Sequence, residues 1–277
     1  MIIDGHSHMF TKSMFKEIKM HGKMPERFMK MQEHGADDNA RAWISAMDRL
    51  GIEKTVFMAT SRLNEDFIGF IGSSDRFVGF AKMNPTAGDA IPALKREIEA
   101  GMKGVKLYAS EGEFDVGSKK AYPFYKYCEE NQIPITIHFG VTIGFSSDLT
   151  AGNPLLISRV LKDFPELRFT IAHFGAGFFR EVLMLRYKQQ NLAVDTSGTN
   201  NWLAHQDSNM TLRDVFRKAI EVFTPEGLIY GSDTAIFPDG YREHILKGQT
   251  GILEELNLPK ADIDRIMYGN AKRIFGI

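Results

Sequence analysis

Two histidines stand two residues apart near the start of the chain, in Ile3-Asp4-Gly5-His6-Ser7-His8. Alternate residues of a β-strand point to the same face. On an extended segment both imidazoles therefore enter one cavity, and Asp4 shares their parity. Three more polar residues end short β-rich runs: His138 in Pro134-Ile-Thr-Ile-His138, His173 in Phe169-Thr-Ile-Ala-His173 and Asp233 in Ile229-Tyr-Gly-Ser-Asp233. Three neutral imidazoles and a carboxylate suit one divalent metal ion, zinc first and manganese or iron next, with room left for water. A lone His-x-His is weak evidence, because a packed pair of core histidines looks the same. The pair joined by His138, His173 and Asp233, each closing its own run, is far more specific. Spacing alone does not separate His173 from the ligands.

Other residues stand where a substrate would meet such a centre. Lys106 and Tyr108 share a face of Gly104–Tyr108. If that face is interior, Lys106 anchors substrate or, as a carbamate, bridges a second metal. Its place short of the run's end favours a single metal. The plainer alternative is a buried ion pair with Asp4 or Asp195. Arg62, in Thr60-Ser-Arg62, is placed to grip a substrate carboxylate, unless it is an ordinary surface arginine. Asp4 either supports a ligand histidine or bonds backbone at a strand end. The acidic loop Glu111-Gly-Glu113-Phe-Asp115 either lines the rim or faces solvent. His205 and His244 read as surface residues, and Cys128, the single cysteine, reads as a structural thiol on a helix.

The elements that must position these groups follow a repeating rhythm. Strand-like runs fall at Ile2–Gly5, Thr55–Ala59, Phe77–Met83, Gly104–Tyr108, Ile135–Phe139, Arg168–Ala172, Leu192–Asp195 and Leu228–Tyr230. Amphipathic helical runs lie between them, at Ala40–Leu50, Ala90–Ala100, Lys119–Asn131, Leu155–Phe164, Gly177–Gln189 and Leu212–Phe223. Strand-then-helix repetition implies parallel pairing with right-handed crossovers. Eight units predict an α/β fold of the closed (β/α)8 TIM-barrel type rather than an open doubly wound sheet. No Gly-x-Gly-x-x-Gly turn follows the first strand, which also disfavours a dinucleotide fold. The 277 residues suit a single barrel domain of typically ~250 residues. In such a barrel the metal-type residues all lie at C-terminal strand ends, the face where active sites are built.

Residues 9–38 break the rhythm as an insertion between the first strand and its helix, where connections usually run to ~4–6 residues. The insertion carries His21 and His34, six methionines (Met9, Met14, Met20, Met24, Met29 and Met31) and the phenylalanines Phe10, Phe15 and Phe28. Such apolar content must be covered. It packs on the barrel rim, lies over substrate as a lid with Phe10 approaching the pocket, or meets a second subunit in a homodimer. The stretch from Thr234 onward predicts extra helices closing the barrel. Net charge is -1, so nothing draws the chain to nucleic acid or an anionic membrane. No leading signal segment and no apolar run of membrane length is present, which makes the cytoplasm the expected location.

The residues quoted above resemble the amidohydrolase superfamily, and more narrowly its amidohydrolase-related branch of aminocarboxymuconate semialdehyde decarboxylase-like proteins. The resemblance also rests on Ala172-His173-Phe174-Gly175, Val194-Asp195-Thr-Ser197, Tyr230-Gly-Ser-Asp233 and the closing Gly269-Asn-Ala-Lys-Arg-Ile-Phe-Gly276. It implies that His6, His8, His138 and Asp233 bind the metal, and that His173 acts on water or substrate. Asp233 and His173 are then the catalytic pair, with Arg62, Lys106, Tyr108 and Phe10 around a small-molecule substrate. The expected reaction is hydrolysis of a small ester, lactone or amide. The alternative is non-oxidative decarboxylation by the same residues. A non-catalytic metal protein is disfavoured because closed structural sites leave no open position.

Overall fold

A computed structural model describes residues 1–15, 26–62, 64–142, 147–206 and 209–277. Its strands are β1 (Ile2–His8), β2 (Ile52–Met58), β3 (Phe77–Lys82), β4 (Gly104–Tyr108), β5 (Ile135–His138), β6 (Phe169–Ile171), β7 (Leu192–Asp195), β8 (Leu228–Ile229) and β9 (Thr234–Ala235). The helices are α1 (Lys12–Phe15), α2 (Glu26–Met31), α3 (Ala36–Leu50), α4 (Glu65–Gly72), α5 (Ala90–Glu99), α6 (Tyr122–Glu130), α7 (Ser158–Asp163), α8 (Phe179–Lys188), α9 (Leu212–Phe223), α10 (Glu243–Glu255), α11 (Lys260–Asp264) and α12 (Asn270–Phe275).

All strand pairs are parallel, in the order β8-β7-β6-β5-β4-β3-β2-β1-β9. The two ends of that list belong to one stretch of chain. β8 pairs with β7, and β9, a few residues on, pairs with β1. Between them the Gly5 amide donates to Tyr230 O at 2.9 Å and the Asp233 amide to His6 O at 2.8 Å. Residues 228–235 therefore act as a kinked eighth strand that closes the (β/α)8 barrel. The closure is tight. A Cβ on Gly231 would lie 2.8 Å from the Ser197 Cβ and 2.9 Å from the His6 Cβ.

Apolar residues fill the lower barrel. Ile3, Val56, Met58, Val78, Phe80, Ala193 and Ile229 pack with Ala271, Ile274 and Phe275 of α12, which plugs the floor. Above this layer the buried interior turns polar at Lys106, Thr136 and Thr170, which lie in register on β4, β5 and β6.

The strand assignments and the C-terminal helices agree with expectation, and α9 matches to the residue. The differences have local causes. Helix α4 was not foreseen, since Gly69 and Gly72 lower its propensity. It forms because Asn64 caps it by accepting from the Phe67 amide, and because Phe67, Phe70 and Ile71 are buried. Helix α3 starts at Ala36 rather than Ala40, where the Asp38 carboxylate receives the Gly35 amide. The strand parity of Asp4 also fails. Pairing of β1 with β2 shifts register between Asp4 and Ser7, so His6 and His8 enter the barrel while Asp4 turns to Ser7, Ser232 and Tyr241.

The insertion sits at the barrel mouth. Phe10, Phe15 and Met31 bury against Ala235, with Phe28 beside them. Met9 and Met14 enter the main core. Thr11 and Ser13 donate to Asp66 of α4, Arg27 pairs with Asp239 at 3.2 Å, and the His34 ring stacks on Phe237 at 3.6 Å. Met29 is exposed, and Met20, Met24 and His21 lie outside the described residues. Among the described residues no helix is long and apolar enough to cross a membrane.

The barrel floor makes a stability prediction. A Cβ on Gly104 would lie 2.5–2.6 Å from three atoms of the Phe80 ring, and that ring is held edge-on by Phe275. Gly104→Ala should cost roughly 1–3 kcal/mol, as overpacking of a filled core does. Thermal unfolding checks this, and an unchanged midpoint would contradict the packing described.

Candidate metal centre

The ends of β1, β5, β6 and the kinked eighth strand bring four imidazoles and a carboxylate together. Ring centroids of His6 lie 5.3 Å from His8 and 4.7 Å from His173, and His138 lies 4.9 Å from His173. Donor atoms of His6, His173 and Asp233 fall within 4.8 Å of one another. The His8 Nε2 is 3.1 Å from Asp233 Oδ1, and the His6 Nε2 is 4.0 Å from the same oxygen.

Each imidazole is pinned by one nitrogen to a group behind it. His6 Nδ1 faces Asp195 Oδ2 at 2.8 Å. His8 Nδ1 faces Met58 O at 3.0 Å. His173 Nδ1 meets the Ser197 hydroxyl at 2.8 Å and Ser197 O at 3.2 Å. His138 Nε2 faces Val141 O at 3.1 Å. Donation of N–H to these oxygens leaves the other nitrogen of each ring as a lone-pair donor, the arrangement that orients metal-ligating histidines. Both His8 nitrogens face acceptor oxygens, so a neutral ring leaves one of these contacts without a proton, a deficit that a cation held by His8 and Asp233 would make up. This donor set fits a divalent metal. The geometry groups His173 with His6 and Asp233, so the expected division between His173 and the ligands does not follow from position.

Electrostatics agree with neutral imidazoles. Burial, then the Lys106 charge, pushes the His6 imidazole down to about 3, and burial pushes His138 well below its usual value. Burial raises the pKa of Asp233, but the His8 hydrogen bond and the nearby imidazoles outweigh it and hold the carboxyl well below the usual range. Asp195 is fully buried, yet its contacts with His6 keep its pKa lowered against that burial. Its Oδ1 accepts the His173 amide at 2.9 Å, the Ser197 amide at 3.1 Å and the Ser197 hydroxyl.

Backbone strain concentrates here. His173 (φ 55°) and Asp233 (φ 55°) both occupy the left-handed region, at a cost of about 1 kcal/mol or more each for a residue with a Cβ. The Asp195 contact to the His173 amide and the His6 carbonyl's contact to the Asp233 amide hold them there.

The remaining predicted residues divide. Lys106 is fully buried inside the barrel, with Nζ 3.4 Å from His6 Nε2 and 5.1 Å from the Tyr108 ring centroid. Burial pushes its ammonium down to about 8. No carboxylate lies within ion-pair distance of it among the described residues, which removes the expected pair with Asp4 or Asp195. The Tyr108 ring lies 6.2 Å from His138, and its hydroxyl donates to Ala59 O at 3.2 Å. Phe10 stacks on His8 at 5.8 Å. Arg62 is exposed in the turn after β2 and its side chain makes no hydrogen bond or ion pair among the described residues. Glu111 pairs with Lys82 at 2.7 Å. His205 and His244 are exposed and Cys128 is buried, as expected.

Two residues escaped the sequence reading. Asp195, read as a possible partner for Lys106 and as part of the motif Val194-Asp195-Thr-Ser197 but given no role at the metal, is the residue that orients His6 and holds His173. Its place at a strand end beside Ser197 was the available signal. Arg242, which no motif marks, brings its guanidinium to 3.5 Å from Asp233 Oδ2 with a side chain only 12% exposed.

The chain belongs to the amidohydrolase family, whose model matches residues 3–277. No curated protein matches it in sequence. Among solved structures it resembles a probable 2-pyrone-4,6-dicarboxylic acid hydrolase from Acinetobacter baumannii, at 19% identity, TM-score 0.70 and coverage of 100% of this chain and 99% of that one. An amidohydrolase from Burkholderia multivorans with bound zinc is similar at 13% identity and TM-score 0.69, covering 100% and 99%. A dihydroxybenzoic acid decarboxylase from Polaromonas sp. with bound manganese is similar at 14% identity and TM-score 0.69, covering 99% and 96%. These likenesses carry the fold.

Asp195→Asn tests the pinning. The amide keeps an oxygen for His173 and Ser197 but turns an N–H toward His6 Nδ1, which reverses the ring's tautomer. Metal affinity should fall about 10–100-fold, the usual cost of losing such a partner, with the unfolding midpoint of the metal-free protein little changed. Chelator competition measures it, and unchanged affinity would refute the role given to Asp195.

Proposed function

We propose that this chain is a metal-dependent hydrolase acting on a small ester, lactone or amide that carries a carboxylate. The observation that carries this reading is Asp233, an acceptor carboxylate set among pinned imidazoles with the Arg242 guanidinium beside it. His6, His8, His138 and Asp233 would hold one divalent cation, zinc by donor preference, and His173 would face water or substrate. The cation supplies Lewis acidity, making water a stronger acid and polarising a carbonyl.

The chain's own groups supply the rest. Asp233 accepts a proton from the attacking water as the water oxygen bonds to the acyl carbon. His173, held by Ser197 through Nδ1, offers the Nε2 lone pair to accept a hydrogen bond from that water and orient it. The acyl C–O or C–N bond then breaks, and Asp233 returns the proton to the leaving oxygen or nitrogen. Phe10 walls the His8 side and excludes water there.

Arg242 takes the place in this reading that sequence assigned to Arg62. Lys106 and Arg242 balance Asp195 and Asp233, so the side chains alone are near neutral. A bound divalent cation makes the pocket positive, which favours an anionic substrate. Decarboxylation is the second reading, because decarboxylases stand among the structural neighbours. It needs a proton donor for the carbon left behind, whereas Asp233 starts as an acceptor.

Incubation of metal-loaded protein with carboxylate-bearing lactones, esters, amides and hydroxybenzoates tests the choice. The expected result is acid release without carbon dioxide. Arg242→Ala should raise KM roughly tenfold or more, the worth of a charge-assisted contact, and Arg62→Ala should not. Carbon dioxide release would overturn the hydrolase reading, and equal effects of the two arginine variants would overturn the role of Arg242.

A further inference from the structure

Away from the metal centre the described residues form a second concavity. A cleft of about 450 Å³ opens where β6, β7 and β8 begin, lined among others by Arg168, Arg186 and Arg273 with Glu166 and Glu226. Its volume falls in the range of small-molecule sites. The same strands end, at the opposite face, at His173, Asp195 and the run to Asp233.

The guanidiniums are the unusual feature. None of the three has a carboxylate within ion-pair distance among the described residues. Arg186 is buried at 8% exposure. Its terminal nitrogens donate to the carbonyls of Gln190, Leu192 and Phe223, and its Nε is buried with no partner among the described residues. Arg273 donates only to neutral oxygens, Glu226 O and Asn270 Oδ1. Arg168 makes no side-chain hydrogen bond or ion pair among the described residues, and its Nη1 lies beside Gly276. Of the two acids, Glu226 faces Arg265 at 3.7 Å while its charge also acts on Arg186 and Arg273, so the three guanidiniums outnumber the two carboxylates. Burial and then the charge of Arg273 disfavour the charged form of Arg186, and together they outweigh Glu226, which favours it. A buried, unpaired charge is costly, and an anion in the cleft would offset that cost.

We propose that this cleft binds a small multivalent anion presenting carboxylate or phosphate oxygens, at a site separate from the metal centre. Arg168 and Arg273 supply terminal N–H donors at the opening, and Arg186 supplies positive charge at the base. Arginine suits such oxygens because its planar fork meets two at once. The inference is independent of the reaction assigned to the barrel mouth.

Calorimetric titration with inorganic phosphate and, separately, with malonate tests it, in chloride buffer of fixed ionic strength so that general screening is constant. Saturable binding of either probe is expected, at about one site per chain, weakened roughly tenfold by Arg168→Gln and further by Arg168→Gln with Arg273→Gln. Arg242→Gln should leave it intact. Arg168 has no partner to lose, so the single variant, checked for an unchanged unfolding midpoint, decides the matter if the double variant folds poorly. Absence of saturable binding for both probes would overturn the proposal. So would binding indifferent to Arg168→Gln, or binding lost only with Arg242→Gln, which would put the anion at the barrel mouth.

Discussion

The hydrogen bond between Asp195 and His6 is the contact on which the site depends. It fixes which His6 nitrogen carries a proton and so which carries the lone pair facing the cavity. The same carboxylate reaches the His173 amide and Ser197, and Ser197 in turn holds His173 Nδ1. One buried side chain thus orients two of the four imidazoles and braces a left-handed turn. An uncompensated carboxylate could not remain ionised there. The converging N–H donors make its burial tolerable, and their loss would release the geometry at several points together.

A second constraint is the closure of the barrel. The eighth strand cannot run straight, because Asp233 must turn inward beside His8 while β9 pairs with β1. The kink at 230–233 resolves this, with Gly231 allowing β7 and β1 to approach and Asp233 taking a left-handed conformation. Asp4 secures the kink from the other side, accepting from the Ser232 amide and hydroxyl and from the Tyr241 hydroxyl. Tyr241 leads directly into Arg242, so the network that closes the barrel also sets the arginine beside Asp233.

Much of this was legible in the chain. The alternation of β-rich and amphipathic runs gave the barrel because each pattern has its own period. The polar residues were visible as candidates because each interrupts an apolar run at its end. Three features were hidden for physical reasons. The inward turn of His6 depends on a register shift that strict alternation does not express, so parity alone grouped Asp4 with the histidines, whereas the other reading, a strand-end carboxylate bonded to backbone, matches the amides of His6 and Ser232 from which it accepts. Arg242 reaches Asp233 only through the path of the loop after the eighth strand, which has no sequence signature. Helix α4 owes its existence to burial and an Asn64 cap that override two glycines. The insertion lay between these cases: its methionines and phenylalanines announced burial, and Phe10 does reach His8, but its clasp on Phe237 and Asp239 follows from tertiary packing.

Elemental analysis of the purified protein, alongside two variants, tests the account most directly. About one equivalent of zinc, manganese or iron per chain is expected, as for a mononuclear centre with an open position. His6→Ala should lose the metal and the activity together, while His173→Asn should keep most of the metal and lose most of the turnover. A folded, active protein that binds no divalent metal would contradict the account at its centre, and a His173→Asn variant as empty as His6→Ala would make His173 a ligand.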